Sequence, residues 1–171
     1  MLTPNQESYL KTLPEDRVTK VVPFDPATQA TANEIIKEIK ASLPLAEIFY
    51  IGSSKLGIAG ENDIDLTVMA NGHFESYMNA MEDLYGKPLH VNSDTKYVKW
   101  EFDRNGFPVE LHLGDVMTPN LQEQIDTQAI LEQDESLRKE YEQIKIKANG
   151  LPWKEYLKIK YEFWNKILGI K

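Results

Sequence analysis

A chain of 171 residues, 42% hydrophobic and 27% charged, has the composition of one globular domain and not of a disordered segment. The absence of cysteine excludes disulfides, thiolate catalysis and Cys-type zinc sites, and three histidines (His73, His90, His112) are too few for a His-rich metal cage. A formal net charge of −8 argues against a protein that coats long nucleic acid, and no apolar run approaches the roughly 18 residues of a membrane span. Met1 is not followed by a charged-then-apolar leader, so the expectation is a cytoplasmic protein with no membrane partner.

In chain order, residues 1–17, with Pro4 and Pro14, read as an N-terminal arm or short helix. Val18 to Phe24 is rich in β-branched residues and closes on Pro23 and Pro26, which predicts a short edge strand. Ala32, Ile35, Ile36, Ile39 and Leu43 recur at helical spacing, with Thr28 or Thr31 as the cap and Pro44 as the stop. Glu47–Ile51 reads as a strand and Gly52–Asn62 as a glycine-containing loop with room for one helical turn. Asp63–Met69 alternates as a second strand before the Asn71-Gly72 break. Phe74–Tyr85 is an amphipathic helix through Phe74, Tyr77, Met78, Met81, Leu84 and Tyr85. Lys96–Phe102 and Phe107–Leu113 flank Asp103-Arg104-Asn105-Gly106, a strong hairpin signal. Helices follow from Leu121, broken near Asp134 and at Asn149-Gly150-Leu151-Pro152. The plan is α+β: a small mixed β-sheet flanked by helices, with a C-terminal helical extension. It makes a single domain over 1–171, with a sheet core at 18–118 and a helical part at 119–171. Residues 1–133 carry a net −11 and residues 134–171 a net +3. The basic tail is either a solvated helix face or a docking face for an anion or for the acidic body.

The chemistry concentrates in Tyr50–Met69, YIGSSKLGIAGENDIDLTVM. In a strand, Asp63 and Asp65 fall on one face, roughly 6–7 Å apart along the chain. Two like charges held there are costly unless a cation sits between them, and Mg²⁺ takes a few carboxylates together with substrate phosphates. Gly52 lets a phosphate approach the backbone and the Ser53 hydroxyl can donate to it. Lys55, inside the turn, is a further phosphate candidate. Taken singly, an Asp-x-Asp pair fits a solvent face and a Gly-Ser pair fits an ordinary turn; it is their combination on these elements that points to a metal–triphosphate site.

The segment resembles the nucleotidyltransferase superfamily that includes DNA polymerase beta, through Gly52, Ser53, Gly57, Asp63, Asp65 and Leu66; Asn62 stands where a Ser often precedes the first Asp. More narrowly, the chain is similar to the GrpB family. The matching segments are Val21-Val22-Pro23-Phe24-Asp25-Pro26, Tyr50-Ile51-Gly52-Ser53, the helix LEQDESLRKEYEQIK at 131–145, and Tyr156 to Phe163 with Lys160 at its lysine. The likeness covers roughly residues 18–168. Many GrpB relatives keep only the second carboxylate of the pair, and often show His-Leu-His where this chain has Glu110-Leu111-His112. The superfamily's third catalytic carboxylate sits on such a strand, so the resemblance implies Glu110 as the third acid, with Asp115 and Glu101 as weaker candidates. Alternation supports this, since Glu110 and His112 point away from Val109, Leu111 and Leu113. A polar outer hairpin face is the plain alternative.

The resulting expectation is a Mg²⁺-dependent nucleotidyltransferase, with a suspected two-metal site, that moves a nucleoside monophosphate from an NTP to a small-molecule or protein acceptor. Asp63, Asp65 and Glu110 are its catalytic and metal-holding residues, and Gly52, Ser53, Lys55 and His112 its nucleotide-binding ones. Long nucleic acid is disfavoured by the acidic composition, while a tRNA-like acceptor stays open. The alternative is a non-catalytic nucleotide- or phosphometabolite-binding module of GrpB type. Tyr141, Lys145 and Lys160 could cover the nucleotide or the acceptor, against a default of helix packing for the tyrosine and solvent for the lysines. Trp153, Phe163 and Trp164 read most simply as core.

Overall fold

The computed structural model describes residues 1–170. Five strands, β1 (Glu47–Ile51), β2 (Ile64–Met69), β3 (His90–Asn92), β4 (Tyr97–Arg104) and β5 (Phe107–Gly114), form one sheet in the order β1-β2-β5-β4-β3. β2 and β5 run parallel at its centre, and the other neighbouring pairs are antiparallel. The helices are α1 (Pro4–Thr12), α2 (Ala27–Ser42), α3 (Ser53–Leu56), α4 (Phe74–Tyr85), α5 (Pro119–Gln133), α6 (Glu135–Lys147) and α7 (Trp153–Leu168). The α+β plan, with a mixed sheet flanked by helices and a helical C-terminal part, is thus the observed one.

Alternation divides the sheet into two unlike faces. Ile64, Leu66 and Val68 of β2, Val109, Leu111 and Leu113 of β5, and Val98 and Trp100 of β4 all point to one side. There they pack with Ile35 and Ile39 of α2 and Phe74 and Met81 of α4. Each such side chain contributes about 1.5–3 kcal/mol on burial. The Trp100 indole N–H is satisfied by the Gly86 carbonyl at 2.8 Å. The register stacks Asp65 beside Glu110 and Thr67 beside His112 on the other face, with Lys99 and Glu101 of β4 next in line. The hairpin turns on Asn105 (φ 55°) and Gly106 (φ 84°), the two positive φ values of a tight two-residue loop matched to strand twist.

The C-terminal helices are cut where the sequence offers caps. The Thr118 hydroxyl accepts from the Leu121 amide at 3.2 Å to start α5, and the Asp134 carboxylate accepts from the Leu137 amide at 2.9 Å to start α6. The N-terminal segment is anchored: α1 lies on α7, and the Gln6 and Asn165 side-chain amides bond reciprocally at 3.0 and 2.9 Å.

The structure departs from expectation in four places. Val18–Phe24 is not a sheet edge. It is an extended strap that makes single bridges, Val18 with Pro152 and Val22 with Gly60, because Pro23 removes a donor and its backbone groups bond to loops instead. Neither Thr28 nor Thr31 caps α2; both are buried within it, and Asp25 receives the Ala27 amide at 2.9 Å. Leu84 belongs to α4's outer side, 41% exposed. The three-residue β3 is too short to leave a periodic signal.

Candidate functional site

The site begins where β1 ends. Gly52 adopts φ 94° and ψ −177°, a conformation that only glycine takes without strain, and this turns the chain into α3. A Cβ at Gly52 would lie 2.8 Å from Asp65 Oδ2, so the carboxylate presses against the backbone that the glycine leaves open. Gly60 plays the matching part at the far end of the loop: a Cβ there would meet Ser53 Oγ at 2.0 Å. Gly60 is pinned by two backbone hydrogen bonds with Val22, at 2.8 and 3.1 Å. Asn62 takes a left-handed φ of 54° and ties to the strap through the Pro23 carbonyl and the Asp25 amide. An Asn tolerates that conformation better than most residues.

Ile51, Gly52, Ser53, Glu61, Asp63 and Asp65 line one wall of a cleft whose enclosed volume is about 90 Å³. The opposite wall is helical: Gln124, Thr127 and Gln128 of α5, Tyr141 and Lys145 of α6, and Trp153, Tyr156, Lys160 and Trp164 of α7. The helices also grip the loop. Gln128 Oε1 accepts from the Gly52 amide at 3.1 Å, Glu142 Oε1 accepts from the Ala59 amide at 2.8 Å, and Glu132 stands 3.8 Å from Lys55 Nζ. Lys145 is 8% exposed, and its ammonium donates to the Tyr156 hydroxyl at 2.7 Å.

Burial pushes the Asp65 carboxyl well above the usual carboxylate range, and the neighbouring Asp63 and Glu110 charges push it further; Lys160 and Lys145 act against them. Burial, then Asp63, raises Glu61 in the same way, with Arg17 the first charge to oppose it. Glu110 lies beside Asp65 in register but turns to Lys99, 2.9 Å away, and His112 Nε2 stands 3.7 Å from the same carboxylate. The His112 Nδ1 shares a hydrogen bond with the Tyr97 hydroxyl at 2.7 Å, and burial lowers its pKa. Glu110 and His112 therefore share the sheet face with Asp65 without lining the cleft.

A comparison with protein families matches residues 18–169 to the family described as GrpB protein. The chain belongs to the GrpB family. Conserved protein GrpB from Enterococcus faecalis, in its crystal structure, superposes with a TM-score of 0.65 at 14% identity, over 86% of this chain and 99% of that one. At that identity the likeness is one of fold. Two structures of Cid1 are more loosely alike. One, described for its RNA terminal uridylyl transferase activity, has a TM-score of 0.49 at 14% identity; the other, of Cid1 poly(U) polymerase with MgGTP bound, has 0.47 at 16%. This chain aligns over 78% of its own length and spans 41% and 43% of theirs. No curated protein matches the sequence.

Within this GrpB chain, Gly52, Ser53, Asp63 and Asp65 come together as one wall, and Lys55 stays on the loop beside it. Among the described residues no three His, Cys, Asp or Glu side chains converge closely enough to hold a metal on their own. The Asp63–Asp65 pair nonetheless has the chemistry a hard divalent cation takes: carboxylate oxygens, crowded by like charge, open to a cleft. Sequence reading missed Glu61, Thr127 and Gln128, and put Trp153 and Trp164 in the core, whereas both line the cleft. Lys145 is the other reversal, a lysine drawn inside where a solvated one was the default. Its i, i+4 spacing from Tyr141, repeated by Tyr156 and Lys160, was the available signal. Among the described residues no helix is long and apolar enough to cross a membrane.

Proposed function

We propose that this GrpB-family chain is a Mg²⁺-dependent nucleotidyltransferase that transfers a nucleoside monophosphate from an NTP to an acceptor. The observation that carries the reading is the pairing of Asp63 and Asp65 with the Gly52–Ser53 turn on one wall of a cleft whose other wall presents lysines. Asp63 and Asp65 would hold the cation, which when bound neutralises charge on the transferring phosphates. Ser53 orients phosphate oxygens from its place beside Gly60. Glu110, released from Lys99, is the group to take a proton from an acceptor hydroxyl at the outer edge of the pair. The helical wall excludes water from the enclosed part of the cleft.

A second reading, a binding module without turnover, draws on two observations. Glu110 is engaged by Lys99, and the Gly52 amide already has an acceptor in Gln128. The enclosed 90 Å³ is also small beside the roughly 300 Å³ or more of a pocket that takes a whole ligand, so either reading requires the nucleoside to extend out of it.

Titration calorimetry with a non-hydrolysable NTP, with and without Mg²⁺, separates these from no site at all. Binding that requires both the cation and the two carboxylates, and is lost in Asp63→Asn and Asp65→Asn, supports the nucleotide site; binding indifferent to both overturns it. Mg²⁺-dependent release of pyrophosphate then divides enzyme from module. Turnover undiminished in Asp65→Asn would sink the catalytic assignment.

A further inference from the structure

We propose that the helical wall of the cleft is a phosphate-monoester subsite that works without a divalent metal, formed by Lys145, Lys160, Thr127 and the Trp164 indole N–H. The proposal rests on the cleft being the substrate site, and it adds the chemical class of the group held on the wall opposite the carboxylates.

Lys145 is the first observation. Only 8% of the residue is exposed, and it forms no ion pair among the described residues; its hydrogen bond goes to the Tyr156 hydroxyl. An ammonium has three N–H donors, so two remain for a ligand. Buried lysines are ordinarily paired, and here the acids of the opposite wall stand across the cleft and not in contact.

The second observation is independent of charge. Thr127 Oγ1 and Trp164 Nε1 are both buried with no hydrogen-bond partner, and both residues line this cleft. Thr127 is 1% exposed. Leaving such a buried group without a hydrogen bond is costly, so two on one wall call for an occupant. An indole N–H and an ammonium can only donate, and a threonine hydroxyl can donate as readily as accept. A wall of donors selects a ligand group of acceptors, and lysines give it negative charge. Lys160, whose Nζ lies 4.4 Å from the Trp164 ring centre, adds a second cation beside that indole.

Size and competition narrow the ligand. An enclosed volume of about 90 Å³ suits a tetrahedral oxyanion and not a nucleoside. On the opposite loop the Gly52 amide and Lys55 are already engaged from α5, by Gln128 and by Glu132. On the helical wall the Thr127 hydroxyl and the Trp164 indole N–H stay unpartnered. A phosphate monoester can come from the end of a triphosphate or from a phosphorylated acceptor, and both present the same terminal group.

The test titrates inorganic phosphate into the full chain in the presence of EDTA, by calorimetry or ³¹P NMR. Saturable binding is expected. It should weaken about tenfold or more in Lys145→Gln, as for loss of a charge-assisted hydrogen bond. It should weaken severalfold in Thr127→Val, survive in Lys145→Arg, and persist or tighten in Asp63→Asn/Asp65→Asn. Absence of saturable binding, or binding unaffected by Lys145→Gln and Thr127→Val, overturns the subsite. Should Lys145→Gln fail to fold, Thr127→Val and Lys160→Gln carry the test. Competition between inorganic phosphate and a non-hydrolysable NTP assigns the subsite to the triphosphate end, and simultaneous binding assigns it to a phosphorylated acceptor. Phosphate binding without any NTP binding leaves the subsite standing and removes the nucleotidyltransferase reading; NTP binding without phosphate binding does the reverse.

Discussion

The two walls of the cleft are built in opposite ways. The strand wall comes from fifteen consecutive positions, Ile51 to Asp65, and its parts meet because a glycine turn and a strand bring near neighbours together. The helical wall is gathered from three helices between Gln124 and Trp164, and its parts meet only once those helices dock. One wall is acidic and rigidly framed by Gly52 and Gly60; the other is cationic and aromatic. A local motif thus sets where charge is placed, while tertiary packing sets what faces it.

Replacing a carboxylate breaks this opposition most sharply. Asp65 has a folded-state pKa above its unfolded one, so the native state binds the extra proton. Its favourable contribution is complete at low pH and is lost as pH rises through the raised folded value. Asp65→Asn should therefore abolish Mg²⁺-dependent turnover, yet in metal-free protein it should raise stability at neutral pH by about 1–2 kcal/mol, with little gain near pH 4. Thermal melts across pH, with and without Mg²⁺, check this. Wild-type Tm should rise with the cation and that of the variant should not.

Glycine substitutions sharpen the contrast within the strand wall. Gly52→Ala combines φ 94° with a Cβ 2.8 Å from Asp65 Oδ2, and should cost about 1–3 kcal/mol while displacing the carboxylate. Gly57→Ala, at φ 69° with its nearest neighbour 3.7 Å away, carries only the conformational penalty of about 1 kcal/mol and should leave ligand binding intact. Equal effects of the two on binding would mean that the close approach of Asp65 to Gly52 is irrelevant to the site.

The smallest effect lies where the walls touch. Gln128→Ala removes the acceptor on the Gly52 amide and should cost about 1 kcal/mol. If a ligand phosphate takes that amide, nucleotide affinity should rise severalfold. Unchanged affinity would mark the contact as structural.

Much of the strand wall was legible in the sequence because its information is local. Period-two alternation put Asp65 and Glu110 on a face opposite Leu66 and Leu111, and Asn105-Gly106 located the hairpin to the residue. The GrpB likeness was carried by the same stretch and by the tail. Three things were not legible. Val18–Phe24 has strand composition, but its partners are the Gly60 and Leu151 backbones, which no local pattern announces. Glu110 was foreseen beside Asp65, but its rotation to Lys99 depends on which cross-strand partner it meets. Lys145 has the composition of a surface residue, and only the meeting of α6 and α7 puts Tyr156 against its ammonium.

The reciprocal bond between Gln6 and Asn165 joins positions 159 residues apart in sequence. During synthesis α1 is made well before α7, the helix it lies on. Closing so long a loop carries an entropic cost that the contacts between α1 and α7 must offset. Since α7 carries Lys160 and Trp164, the second wall of the cleft is complete only once α7 has joined α5 and α6. A nascent chain holding the carboxylate pair alone has an acidic strand and no pocket.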